Sequence, residues 1–66
     1  MNNIKKLREA RGMSQSDLAD TLGVRPPSVW KWENEISPPK YDNLLAMSKL
    51  FGCSMDHVMG EDTASA

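Results

Sequence analysis

The chain has 66 residues, of which 39% are hydrophobic and 26% charged, with a net charge of −1. This length predicts one small domain, and the composition suits a compact helical unit better than a disordered segment. A single cysteine excludes an internal disulfide, and no apolar run approaches the roughly 20 residues that span a bilayer. With no signal peptide at its start, the sequence predicts a cytoplasmic protein without a membrane partner.

The charge is unevenly distributed along the chain. Residues 1–40 carry seven basic and five acidic side chains, whereas residues 41–66 carry one basic and four acidic ones. The overall balance argues mildly against a nucleic-acid partner, because basic domains are the usual partners of DNA. The net positive charge of residues 1–40 weakens that argument, and the small number of cations predicts modest non-specific affinity.

The first predicted helix covers residues 2–11. Ile4, Leu7 and Ala10 are spaced three residues apart and give it one apolar stripe. Charged side chains occupy its other faces. Gly12 is expected to end the helix.

Residues 14–33 contain two short helical patterns joined by Gly23. Ser14 is a good N-cap for the first helix, predicted over residues 15–22, and Asp17 lies three residues on, as in a capping box. Gly23 can adopt the positive φ that ends a helix sharply. The apolar face of this helix consists of Leu18, Ala19 and Leu22.

The third helix is predicted over about residues 26–34, with Val29 and Trp32 pointing inward. A proline disfavours helical geometry in the residue before it, so Pro26 is expected to lie outside the helix while Pro27 opens it. Two helices joined by so tight a turn must cross at a large angle. The pattern therefore predicts a helix-turn-helix whose second helix presents one face outward.

A stiff connection follows at residues 35–40, in which Ile36 is expected to fill the core. The fourth helix, about 41–51, turns Leu44, Met47, Ser48 and Phe51 inward and leaves Leu45 and Leu50 nearer the surface.

The last helix is predicted over about 54–59, with Ser54 as its cap. Cys53 is expected to fill a small core site, since His57 is the only other soft metal ligand nearby, and His57 itself is expected at the surface. No metal site and no cofactor are predicted. Residues 61–66 are small and acidic and are expected to form a disordered tail.

The order of these residues resembles the helix-turn-helix of the phage Cro and repressor family, also called the XRE family. The resemblance runs from about Ile4 to Gly60 and implies an all-α, compact five-helix domain like that of lambda repressor over residues 1–60. It depends on the joint spacing of Arg8, Arg11 to Gln15, Leu18-Ala19, Gly23-Val24, Val29, Trp32-Glu33, Leu44, Phe51-Gly52, Ser54, Asp56 and Gly60.

The resemblance implies roles for side chains that surround the motif. Arg8 is expected to pair with Glu33 while it faces a phosphate, a double task that suits a forked guanidinium. Gln15 is either an ordinary solvated residue or, as in the family, a contact to the DNA backbone, which is the interpretation we favour. The backbone candidates are Arg8, Ser14, Gln15, Asn34 and Lys40.

Base contacts are expected from the outer side of the third helix, which departs from the family. Arg25 replaces the usual serine cap, and the prolines offer apolar contact, for instance to a thymine methyl, but no hydrogen bond. Trp30 stands where a small polar residue is usual, so it either packs against the second helix or lies in the groove. The base-reading candidates are Pro26, Pro27, Ser28, Trp30 and Lys31.

The connection after this helix also departs from the family pattern. A glycine is common at the position of Glu35, so Asn34 is expected to take the left-handed conformation that ends the helix.

The leading hypothesis is a sequence-specific transcriptional regulator, closest to a stand-alone Cro-like repressor. It would bind a pseudo-palindromic operator in double-stranded DNA as a homodimer, through the major groove. A chain of this size leaves no room for a ligand-sensing domain, so no small-molecule ligand is expected. The candidates for the dimer interface are Leu45, Leu50, Met55, Val58 and Met59, with those on the core side of each helix excluded.

Two other hypotheses follow from features of the sequence. An antitoxin-type or other protein-interaction module of the same fold is the alternative, because the last two helices carry surplus apolar surface. An enzyme is the weakest hypothesis, since the chain offers no phosphate loop, no metal cluster and no carboxylate pair in a plausible cleft.

Overall fold

The computed structural model describes residues 1–61 and contains five helices within them. They are α1 (Ile4–Ala10), α2 (Gln15–Leu22), α3 (Pro26–Glu33), α4 (Tyr41–Phe51) and α5 (Met55–Val58). No strand occurs in this part of the chain, and none of its helices is long and apolar enough to cross a bilayer. The predicted all-α helix-turn-helix fold is confirmed. The predicted disordered tail stays a prediction, because residues 62–66 lie outside the described residues.

The core takes one large, fully buried side chain from each helix: Ile4, Leu18, Val29, Met47 and Val58. A helix of four to eleven residues is marginal on its own in water, so this shared burial is what stabilises the helices. The rest of the buried apolar core consists of Ala19, Trp32 and Phe51.

The first helix is shorter than predicted because its leading asparagines bond elsewhere. The side-chain amide of Asn2 donates to the Trp32 carbonyl at 2.7 Å, and the backbone N–H of Asn3 donates to the Val58 carbonyl at 2.9 Å. These long-range bonds hold both residues outside α1. At the other end, Ala10 is exposed, so its predicted place in the apolar stripe is wrong.

The bounds of α2 match the prediction because both ends are encoded locally. Ser14 accepts a hydrogen bond from the backbone N–H of Asp17 at 3.0 Å, and the Asp17 carboxylate accepts one from the N–H of Ser14 at 2.9 Å. This second bond lowers the pKa of Asp17 below its ordinary value. Gly23, at φ 72°, ends the helix, and the next N–H bonds back to the Ala19 carbonyl at 2.9 Å.

The third helix begins at Pro26, so the expectation that Pro26 lies outside it is wrong. Arg25 takes the extended conformation that a following proline favours, with φ −92° and ψ 150°. Pro26 and Pro27 then occupy the first turn, where the missing N–H groups would have had no helical partner. The prolines thus start the helix without a side-chain cap.

The third helix also ends differently from the prediction. Asn34 keeps φ at −96° and donates its side-chain amide to the Trp30 carbonyl, whereas Glu35 takes the left-handed conformation with φ 60°. The Glu35 carboxylate accepts hydrogen bonds from the backbone and side-chain amides of Asn2, at 2.9 and 2.8 Å. The turn at Glu35 leaves Ile36 59% exposed, so the predicted core role of Ile36 is wrong.

Arg8 and Glu33 form a buried ion pair that joins α1 to α3. The Arg8 Nε lies 2.7 Å from Glu33 Oε2, and one terminal nitrogen lies 3.2 Å from Oε1. The other terminal nitrogen donates to the Met13 carbonyl at 2.8 Å, while Gln15 donates to Glu33 Oε1 at 3.0 Å. The side-chain hydrogen bond to Glu33 raises the pKa of Arg8 above its ordinary value, so the guanidinium stays charged. Four segments therefore meet at one carboxylate and one guanidinium.

Replacing Trp32, which is 5% exposed, tests the core. Trp32→Ala should lower the free energy of unfolding by about 3–5 kcal/mol, because it removes a large buried ring and leaves a cavity. Urea unfolding followed by circular dichroism measures this change. The matched control is Trp30→Ala on the 48% exposed Trp30, which should change stability by about 0.5 kcal/mol or less. Equal losses in the two variants would contradict this assignment.

Replacing Glu33 tests the ion pair. Glu33→Ala should cost about 3–5 kcal/mol, because it leaves the buried Arg8 charge without its partner. The double variant Arg8→Met/Glu33→Leu should recover most of that loss, since apolar groups of similar volume need no counter-charge. Thermal melts of both, with the exposed Glu9→Ala as control, measure the difference. A double variant no more stable than Glu33→Ala would argue against the uncompensated charge as the cause.

Candidate nucleic-acid interface

The outer face of α3 is exposed along the whole helix. Pro26, Pro27, Trp30 and Lys31 lie on the surface, and Ser28 is half-buried at the edge of this face. The inward residues of α3 belong to the core, which fixes the orientation of the outward ones. The structure therefore brings the five predicted base-reading residues together on one helix.

Two clefts flank this helix. The first, which we call the proline cleft, has a volume of about 350 Å³ and is lined by Gln15, Pro26, Pro27 and Trp30. The second, the lysine cleft, has a volume of about 410 Å³. Its lining consists of Val24, Ser28, Trp32, Ser37, Pro38, Lys40 and Asn43.

The predicted backbone residues divide by exposure. Ser14 is exposed, and its hydroxyl already caps α2. Asn34 and Lys40 are exposed beyond the C-terminal end of α3. Gln15 is half-buried, and its side-chain amide is held by Glu33 at 3.0 Å.

Arg8 differs from the other backbone candidates. Its side chain is only 9% exposed, and three of its N–H groups already donate to Glu33 and Met13. So little exposed surface gives a phosphate poor access to the guanidinium. The predicted pair with Glu33 is confirmed, whereas the predicted phosphate contact of Arg8 stays a prediction.

Positive charge surrounds the outer face of α3. Arg25, Lys31 and Lys40 are exposed, and none of them forms an ion pair within residues 1–61. Asp17 and Asp20 are exposed acids on the preceding helix, α2. Three cations without intramolecular partners can neutralise an anionic ligand.

Arg25 and Asn43 are not among the predicted contact residues, yet both belong to this region. Arg25 directly precedes α3 and makes no side-chain cap, so its position in the sequence is a usable signal. Asn43 reaches the lysine cleft from α4. The sequence around Asn43 carries no signal of that contact, because it depends on how α4 packs.

The predicted dimer candidates lie on α4, on α5 and at the end of α5. Val58 is fully buried, so its predicted place in an interface is wrong. Leu50 is half-buried and packs against the core. Leu45, Met55 and Met59 are half-buried and retain exposed apolar surface.

Comparison with known proteins gives close relatives. The chain is 33% identical over 64 residues to the transcriptional regulator ImmR of Bacillus subtilis, covering 92% of this chain and 50% of that protein. It is 32% identical over 59 residues to repressor protein C2 of Salmonella phage P22, covering 89% of this chain and 27% of the repressor. The chain spans about half the length of the B. subtilis relatives it matches.

Solved structures match as well. The P22 c2 repressor in its complex with synthetic operator 9T superimposes with a TM-score of 0.82 and 32% identity, over 91% of both chains. A transcriptional regulator from Listeria innocua superimposes with a TM-score of 0.81 at 22% identity, covering 88% of this chain and 54% of that one, which supports the fold alone. The HTH_3 helix-turn-helix family matches residues 4–58. The chain therefore belongs to the XRE-type helix-turn-helix family that its motif resembles.

Proposed function

We propose that this protein is a sequence-specific DNA-binding transcriptional regulator that inserts α3 into the major groove. The observation that carries the proposal is the outer face of α3, which is exposed, flanked by unpaired cations and fixed from behind by the core and the Arg8–Glu33 pair. A rigid exposed helix is what direct reading of base edges requires. The similar P22 c2 repressor was solved in complex with an operator.

Within this proposal, the side chains of the outer face divide between bases and phosphates. Pro26, Pro27, Ser28, Trp30 and Lys31 would face the bases, because they lie on the helix that enters the groove. Ser14, Gln15, Asn34 and Lys40 would contact the backbone on either side, together with Arg25. Arg8 would act indirectly, since its buried guanidinium positions Glu33 and, through it, Gln15.

The proposed protein acts as a homodimer on a pseudo-palindromic operator. One α3 of eight residues can contact only a few base pairs, whereas an operator must be distinguished from bulk DNA by about 10³-fold or more. Two copies related by a two-fold axis double the contacts and place the two helices about 34 Å apart. Leu45, Met55 and Met59 would contribute the apolar surface between the copies, with Leu50 beneath them.

Repression would follow from occlusion, because a dimer bound over a promoter excludes polymerase from the same DNA. This role places the protein in the cytoplasm of a bacterial cell and involves no catalytic step. A selection from random duplexes, followed by sequencing, tests binding, symmetry and half-site spacing together. Enrichment of a palindrome would support the proposal. Failure to enrich any sequence would overturn it and favour a protein-interaction module.

Two lysines should have different effects on DNA binding. Lys31→Ala should relax the preference at one base pair by about 1–3 kcal/mol, because Lys31 lies on the reading face. Lys40→Ala should weaken binding to all DNA sequences alike. It should also reduce the slope of log affinity against log salt concentration by about 1, as expected for a lost phosphate contact. Titrations of selected and scrambled duplexes at several salt concentrations measure both effects, with the exposed Lys5→Ala as control. An equal loss of affinity for selected and scrambled duplexes in Lys31→Ala would contradict the base-reading role of Lys31.

A charge on the predicted dimer surface should abolish cooperative binding. The Met55→Glu variant should bind the palindrome only at a higher protein concentration than the wild type, because contacts between the two copies are lost. Its binding to an isolated half-site should be unchanged. Ala10→Glu adds the same charge to an exposed position of α1 and is the matched control. Gel-shift titrations of both duplexes measure the difference. Unchanged cooperative binding in Met55→Glu would place the interface elsewhere.

A further inference from the structure

Residues 1–3, which precede α1, join two distant parts of the molecule, and we call them the N-terminal strap. One part of the strap is held at the C-terminal end of α3. The side-chain amide of Asn2 donates to the Trp32 carbonyl at 2.7 Å and to Glu35 Oε2 at 2.8 Å. The backbone N–H of Asn2 donates to the same Glu35 oxygen at 2.9 Å. The strap is thus fixed to the turn that ends the helix proposed to enter the groove.

The other part of the strap is held by α5. The backbone N–H of Asn3 donates to the Val58 carbonyl at 2.9 Å, and its side-chain amide donates to the His57 carbonyl at 2.7 Å. These carbonyls lie in the last turn of α5, where a helix leaves carbonyl groups without partners of its own. A side chain at Gly60 would collide with the Met1 carbonyl, so glycine there lets the strap lie close to the end of α5.

The side chain of Glu35 serves the strap rather than its own turn. Glu35 is the only non-glycine residue with a positive φ within residues 1–61, and its β-carbon disfavours that conformation. A glycine would take the same turn without strain but would offer no carboxylate to Asn2. The strained residue is therefore the one that holds the strap to α3.

In the proposed dimer, the strap connects the two surfaces that must act together. The helix α3 carries the proposed base contacts, and the two carbonyls held by Asn3 lie between Met55 and Met59, which are candidates for the interface. The distance between the two α3 helices of a dimer depends on how α3 lies relative to α5 within each copy. On DNA this distance must match half-sites about one helical turn, ~34 Å, apart.

We propose that the N-terminal strap couples DNA reading to dimerisation, because it holds α3 and α5 in the relative arrangement that fits two half-sites at once. Asn2 and Asn3 are positioning residues, since neither lies on the outer face of α3 or among the interface candidates. A copy with a released strap still binds one half-site through α3. A smaller fraction of such copies has both surfaces correctly placed, and affinity for the palindrome falls with that fraction. This inference rests on the proposed DNA binding by a homodimer.

Two variants release the strap from α3. Asn2→Ala removes the side-chain bonds to the Trp32 carbonyl and to the Glu35 carboxylate. Glu35→Gly removes that carboxylate and supplies the residue that takes a φ of 60° without strain. The exposed Glu61→Gly makes the same exchange outside the strap and is the matched control. Each variant is titrated on a selected palindrome, on its isolated half-site, and on palindromes with one base pair inserted or removed at the centre.

The expected loss is confined to the palindrome. If the strap contributes as much as one typical hydrogen bond in each copy, affinity for the palindrome should fall about 25-fold, that is about fivefold per copy, and affinity for the half-site by less than about twofold. A change of one base pair in the spacing should weaken both variants less than the wild type, because a looser arrangement of α3 and α5 can follow it. A merely structural role would weaken palindrome and half-site alike and leave the spacing preference unchanged.

Two results would overturn the inference. One is wild-type affinity for the palindrome in both variants, and the other is an equal loss of affinity for palindrome and half-site. If a thermal melt shows that Asn2→Ala does not fold, Glu35→Gly decides the matter, because its turn is free of strain. DNA binding itself is tested by the wild-type protein on the half-site, so a failure of the coupling is distinct from a failure of the proposed function.

Discussion

The rest of the structure depends on one buried charge pair. Arg8 and Glu33 connect the first helix to the end of the third. Arg8 also donates a hydrogen bond to the Met13 carbonyl, and Glu33 accepts one from the side-chain amide of Gln15. Removing one partner of a buried ion pair strongly lowers stability, whereas replacing both partners by well-packed apolar residues often leaves stability unchanged. Its contribution is therefore one of position. It sets where the start of α2 lies relative to α3, and these two elements form both walls of the proline cleft.

How far the sequence could predict the fold depended on whether each signal was local. The bounds of α2 were predictable because Ser14 and Gly23 encode its ends with bonds to near neighbours. The turn at Glu35 was not, because its carboxylate bonds to Asn2, 33 residues away. The burial of Val58 could not be predicted either, because a helix of four residues is too short for its hydrophobic periodicity to indicate the buried side.

The candidate site shows the same division. That Pro26, Pro27 and Trp30 share one exposed face follows from helical spacing after the motif, and the structure places them so. The half-buried, hydrogen-bonded state of Gln15 and the burial of Arg8 depend on how three helices pack around Glu33, which spacing alone does not encode. At Pro26, two local rules compete. The preference for proline in a first turn prevails over the restriction on residues that precede proline.

The way α3 begins has a consequence for how such a protein can change over evolutionary time. Its first two positions need neither an N–H donor nor a buried side chain, so substitutions there disturb the hydrogen bonds and the core very little. The residues that would meet the bases are thus separated from those that stabilise the domain. Mutation can therefore retarget this surface to a new operator without first requiring a more stable protein, because little stability is lost in the process.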